Sequence, residues 1–252
     1  MTIPLADDRL AVIADRDTQR IAARFAQDAF AGVFRLTLDE DADAGRYAAE
    51  LAAIETQCRN WCQAGTDDEA RALRTALLVS GLDQWGLAYV QAFDLASIPA
   101  LTSLLGNLRS ALDPAADARF GRHFAALEAV ESDALDFKIE LRRSIHLALW
   151  HAMGACTDKA LAQRITEALG SLMVALAGRM PDHGWRLLAD ALASIQMRLL
   201  SDASAASETA QQNTLKLFEA LRRNLPAEQY QAILAHSGQA VVAWQRSRRT
   251  TQ

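Results

Sequence analysis

Two histidines, two arginines, a glutamate and a tryptophan stand within DFKIELRRSIHLALWHAM, residues 136–153. No other stretch of the chain gathers so many side chains able to move a proton or ligate a metal. Imidazole does both near neutral pH, but two imidazoles on one helix grip a single ion only at i,i+3 or i,i+4 spacing. His146 and His151 are five apart. At about 100° per residue they project roughly 140° apart around a helix axis, so they do not form a metal pair. His146 falls beside Ile139, Trp150 and Met153, the surroundings of a core or interface histidine. His151 falls beside Glu140, Ser144 and Leu147, where a hydrogen bond to Glu140 or Ser144 is expected.

Cys58 and Cys62 have the better spacing, i,i+4. They also continue the apolar stripe of Tyr47, Leu51 and Ile54, where a free thiol behaves as a small hydrophobe. A structural zinc needs two further ligands, which only Cys156 with His123 or His183 could supply from a distance, so no metal and no cofactor is expected. In SGLDQWGLAYVQAF, residues 80–93, Gly81 and Gly86 flank Trp85 inside a helical pattern. Each glycine costs up to about 1 kcal/mol against alanine, which points to a kink or a close helix approach. If the chain holds a ligand or partner through these stretches, Trp85, His146 and Trp150 are the residues expected to line the site.

Other chemistry lacks its template. The sequence has no GxGxxG, GxxxxGK[ST] or GxSxG, so neither a phosphate cradle nor a nucleophile elbow has its glycines. The acidic runs at 39–41 and 67–69 sit at expected helix starts, where carboxylates complement the macrodipole. Arg246, Arg248 and Arg249 follow Trp244 at the carboxy-terminal side and read as a basic helix end. Catalytic residues: none are assigned.

The elements that position these side chains are helices. Apolar residues recur at three- and four-residue steps through Leu78, Leu82, Trp85, Tyr89 and Phe93, and again through Trp185, Leu188, Leu192, Ile195 and Leu199. Asp113 before Pro114 is an N-cap followed by proline at the first helical position; Ser132, Thr157 and Asp182 precede further periodic runs. About ten helices result. The alternating stretch FRLTL, 34–38, is read as a helix end or loop, since one strand has nothing to pair with. An offset of 68 residues aligns Leu101 with Leu169, Phe120 with Leu188, Leu147 with Leu215 and Trp150 with Phe218, suggesting an internal repeat, although helical phase alone gives such matches. The expected fold is all-α, an antiparallel multi-helix bundle or a short stack of α-hairpins. It is read as one domain over 1–252, with lobes 1–154 and 157–252 as the subdivision.

Composition sets the function classes. A chain of 252 residues with 51% hydrophobic and 23% charged residues builds its core without disulfides or metal. A formal charge of −5 gives no global attraction to nucleic acid or anionic lipid. The first residues, MTIPLADDRLAVIADRD, place acids where a secretory signal needs an apolar core, and no apolar run reaches the roughly 18 residues that span a bilayer. The expectation is a non-enzymatic cytoplasmic protein-protein interaction module (adaptor, assembly chaperone or regulatory subunit), with a protein partner or self-association and with neither nucleic acid nor membrane as partner. The alternatives are a small-molecule-binding helical domain with an aromatic and histidine-lined pocket, or an enzyme whose site assembles from distant residues.

Overall fold

The structure, a computed structural model, describes residues 15–39, 41, 43–93, 97–130, 135–179, 184–201 and 208–250. Among the described residues there are ten α-helices and no strand: α1 (Arg16–Leu38), α2 (Ala44–Gln63), α3 (Asp68–Phe93), α4 (Ile98–Ser110), α5 (Pro114–Ala129), α6 (Asp136–Ala155), α7 (Lys159–Arg179), α8 (Gly184–Ser201), α9 (Glu208–Asn224) and α10 (Ala227–Thr250). FRLTL is the last turn of α1. The all-α architecture expected from the periodicity is the one observed.

Local signals fix several of the helix starts. The Asp113 side chain accepts from the Ala116 N–H at 2.8 Å, with Pro114 opening α5. Asp67 accepts from the Ala70 N–H ahead of α3. At α7 the cap is Asp158, one residue beyond Thr157; its Oδ1 takes the N–H groups of Ala160 and Leu161 at 2.8 and 3.0 Å. Those N–H groups hold its carboxyl below the ordinary aspartate value. Ser132 and Asp182 lie outside the described residues.

The chain divides into two compact units. The first comprises the described residues within Met1–Leu87 and Leu95–Leu141. Here α1 packs on α2 and α4, and α2 packs on α4. Phe25 stacks on Trp61 at 5.5 Å and Phe30 on Trp85 at 5.3 Å, fixing α1 against α2 and α3. Both glycines of α3 mark close helix approaches. A Cβ built at Gly81 would lie 2.6 Å from the Ala26 Cβ, and one at Gly86 would lie 2.7 Å from Leu101 Cδ2. The Gln19 side chain enters the same core and accepts from the Phe137 N–H at 3.1 Å, satisfying a first-turn donor of α6.

The second unit comprises the described residues within Ala88–Asp94 and Arg142–Gln252. α8 packs on α7 and most extensively on α10, and α9 packs on α7 and α10, so the core is closed by non-successive helices as well as by successive ones. Leu149, Met153, Leu169, Leu188, Leu192 and Leu217 are fully buried. The internal repeat is not confirmed: Leu147 is half-buried, whereas its counterpart Leu215 is 67% exposed. The units differ in charge. Counted over the sequence, the second carries 13 Lys and Arg against 9 Asp and Glu, a formal +4; the first carries 13 against 22, a formal −9.

Candidate functional site

Trp85 belongs to the first unit, His146 and Trp150 to the second. Trp85 is 2% exposed and stacked on Phe30. On α6, Phe137, Leu141, Ile145 and Leu149 are buried as one stripe, and His146 and Trp150 are buried beside it. His146 is 3% exposed, and its surroundings push its pKa from 6.5 down to about 4. Burial is the main cause, since it penalises the cation; the Arg142 charge adds to it, and a hydrogen bond with the Arg142 backbone opposes it. At neutral pH the ring is therefore uncharged.

Trp150 donates its indole N–H to the Thr214 hydroxyl at 2.9 Å, which ties α6 to α9. Asn213, the residue before Thr214, donates its Nδ2–H to the Met153 carbonyl of α6 at 3.3 Å. His151 is exposed, with its ring edge-on to Trp150 at 4.9 Å. The two histidines thus occupy different environments on different faces of α6.

Cys58 and Cys62 are 1% and 5% exposed. Burial pushes the Cys58 thiol up to about 12, with Cys62 and Glu55 adding to it, and pushes Cys62 up to about 11 against the opposing pull of Thr75 and Arg74. Neither is a thiolate at neutral pH. Among the described residues no three of His, Cys, Asp and Glu gather as a metal site. His183 lies outside the described residues. His123 is engaged elsewhere: its Nε2 sits 2.6 Å from Glu69 Oε1, and Arg119 Nε lies 3.5 Å from Glu69 Oε2. The acidic start of α3 therefore does two things. It complements the helix dipole and it ties α3 to α5, a contact that sequence spacing does not disclose.

Among the described residues, clefts open on the surfaces of the separate units. In the first unit a space of about 380 Å³ lies among Arg59, Cys62, Arg71, Thr75, Leu108 and Asp113. Its arginines are already paired, Arg59 with Glu55 and Arg71 with Asp68. In the second unit a cleft of about 710 Å³ opens between the N-terminal halves of α7 and α9, with the Cys156–Thr157 connection at its edge. Its walls carry Lys159, Thr166, Glu167, Thr209, Asn213 and Lys216. None of these was singled out by spacing, because α7 and α9 supply them from positions about fifty residues apart.

Near the end of α10 the Arg248 guanidinium lies over the Trp244 ring one turn earlier on the same helix, at 5.1 Å. No described helix is long and apolar enough to cross a membrane. No family model matches the sequence, no curated protein matches it, and no solved structure matches the fold.

Proposed function

We propose that this protein is a non-enzymatic interaction module, an adaptor, assembly chaperone or regulatory subunit, that presents a helical face to a protein partner or to a second copy of itself. The observation that carries the reading is on α3. Leu87 is 60% exposed and Val90, one turn on, is 37% exposed, while Ala88, Tyr89 and Ala92 on the other side of the helix are buried. A helix apolar on both faces gains stability when both are covered, and the outer aliphatic pair is available for another chain. A cytoplasmic setting belongs to the same proposal and is supported by Cys58, Cys62 and Cys156 all being free thiols. Protein, and neither nucleic acid nor membrane, is the partner proposed.

The test compares the wild-type chain with a Leu87→Lys/Val90→Lys double variant. Both are purified from cells that produce the protein, and both are run in sedimentation velocity. The reading expects a stoichiometric companion or a dimer that the variant loses at an unchanged melting temperature. Identical companions and identical sedimentation for the two proteins would overturn it.

A further inference from the structure

The outer side of α10 carries a pattern that the α3 reading does not use. Ile233, Ser237 and Val241, at four-residue steps, form the buried side of this helix, whose main packing partner is α8. On the opposite side, about 180° around the axis, Ala232, Ala235, Gln239 and Val242 are exposed, Val242 by 44%. Their alternating steps of three and four residues run on to Glu228 at one end and Arg246 at the other, both exposed. These six positions have the spacing of a coiled-coil seam, drawn out over about 27 Å of helix. From Gln229 to Gln245 the sequence has no Lys, Arg, Asp or Glu. A helix side turned to solvent is ordinarily rich in charge. Here charge stands only at the two ends of the seam, and the ends are opposite in sign.

The distribution is self-complementary in one orientation. Laid antiparallel on a second α10, Glu228 meets Arg246 of the partner subunit, Ala232 meets Val242 of the partner subunit, and Ala235 meets Gln239 of the partner subunit. Each pair is centred on position 237, so a single two-fold axis generates all of them and their reciprocals. Parallel pairing would instead set Glu228 against Glu228 and Arg246 against Arg246, like charge on like charge. In the antiparallel register a small residue opposes each larger one, and Gln239 is the one polar side chain inside the seam, the kind of position that fixes register. Gly238, next to it, has nothing within 4 Å of the place a Cβ would take. No neighbour among the described residues therefore accounts for a mid-helix glycine, which weakens the helix and permits a close approach from outside. Ends of opposite charge about an uncharged centre specify a second copy of this chain as the occupant.

We propose that α10 pairs two copies of the protein as an antiparallel, two-fold helix seam, with Glu228 and Arg246 locking its ends. The proposal is independent of the α3 face, which stays open for another chain. It is tested on the whole chain by sedimentation velocity at low salt from about 1 to about 100 μM, because a single helix pair lies at the low end of interface sizes and associates reversibly. Wild type is expected to pass from monomer to dimer over that range. Glu228→Arg and Arg246→Glu each place like charges at both ends of the pair and are each expected to weaken it by about tenfold or more. An equimolar mixture of the two variants brings opposite charges together at both ends and is expected to recover the dimer, which damage to the fold of either variant would not allow. Val242→Lys should abolish the dimer at unchanged helical content, whereas Leu87→Lys/Val90→Lys should keep it. A wild type that stays monomeric throughout, single reversals that dimerise as tightly as wild type, no recovery on mixing, or a dimer lost in the α3 variant and kept in Val242→Lys would each overturn the assignment.

Discussion

The Trp150 indole N–H and the Thr214 hydroxyl meet at 2.9 Å across 64 positions of sequence, and the same hydroxyl donates to the Ala210 carbonyl at 2.7 Å. Both side chains are buried, so the hydroxyl satisfies a donor that would otherwise have no water to turn to. Thr214→Val keeps the shape and removes the acceptor; a loss of about 1–3 kcal/mol is expected, whereas Thr214→Ser should recover most of it. Trp150→Ala removes the ring as well and is expected to cost about 3–5 kcal/mol. Urea denaturation of the variants checks the order. Equal stability of Thr214→Val and wild type would mean that the bond contributes nothing net.

His146 gives the fold an acid sensitivity. Its folded pKa of about 4 lies below its unfolded value near 6.5, so the unfolded chain binds more protons in between. Stability is therefore fully present above about pH 6.5 and falls as the pH drops toward 4, by up to about 3 kcal/mol. His146→Leu should fold at neutral pH and show a flatter profile over that window. Parallel profiles for the two proteins would remove His146 as the cause.

Glycine substitutions should split by position. Gly81→Ala drives a methyl into Ala26 and is expected to cost about 1–3 kcal/mol. Gly106 and Gly121 have open space around the added carbon, and alanine there should stabilise by up to about 1 kcal/mol. Thermal melts of the three single variants decide it, and destabilisation by all three would contradict the packing account.

Thiol reactivity should single out one cysteine. Cys58 and Cys62 are buried with thiols raised to about 12 and 11, whereas Cys156 is partly exposed. Brief iodoacetamide treatment of the native protein at mildly alkaline pH, read by intact mass, should add one group, and treatment after unfolding should add three. Rapid native labelling of Cys58 would show that α2 opens far more readily than its packing implies.

The helices were legible in the sequence because their cause is local. The step of Leu78, Leu82, Trp85 and Tyr89 is the buried side of α3, and all four are under 9% exposed. Asp113 and Pro114 announce α5 for the same reason, a cap and a fixed φ needing only their immediate neighbours. Gly81 and Gly86 announced close approaches, but which helix comes close depends on the fold. The partners of side chains were not legible. Glu69 reads as a helix-start carboxylate, and nothing in its spacing points to His123 on α5. The cleft between α7 and α9 was missed because its lysines, Lys159 and Lys216, belong to segments with no chemical motif of their own.

The contact between Gly81 and Ala26 has a further consequence for how the sequence can drift. α1 buries Ala22, Ala23, Ala26, Ala29 and Gly32, small residues that a substitution scan would ordinarily score as permissive. Where backbones approach this closely, tolerance is inverted. A position already at the lower limit of side-chain volume accepts almost no change, while Leu38 or Ile21 on the exposed side of the same helix can be replaced freely. Homologous chains should therefore diverge fastest at the exposed large residues of α1, Ile21 and Leu38, and hold its alanines as fixed as the buried Phe30 and Val33.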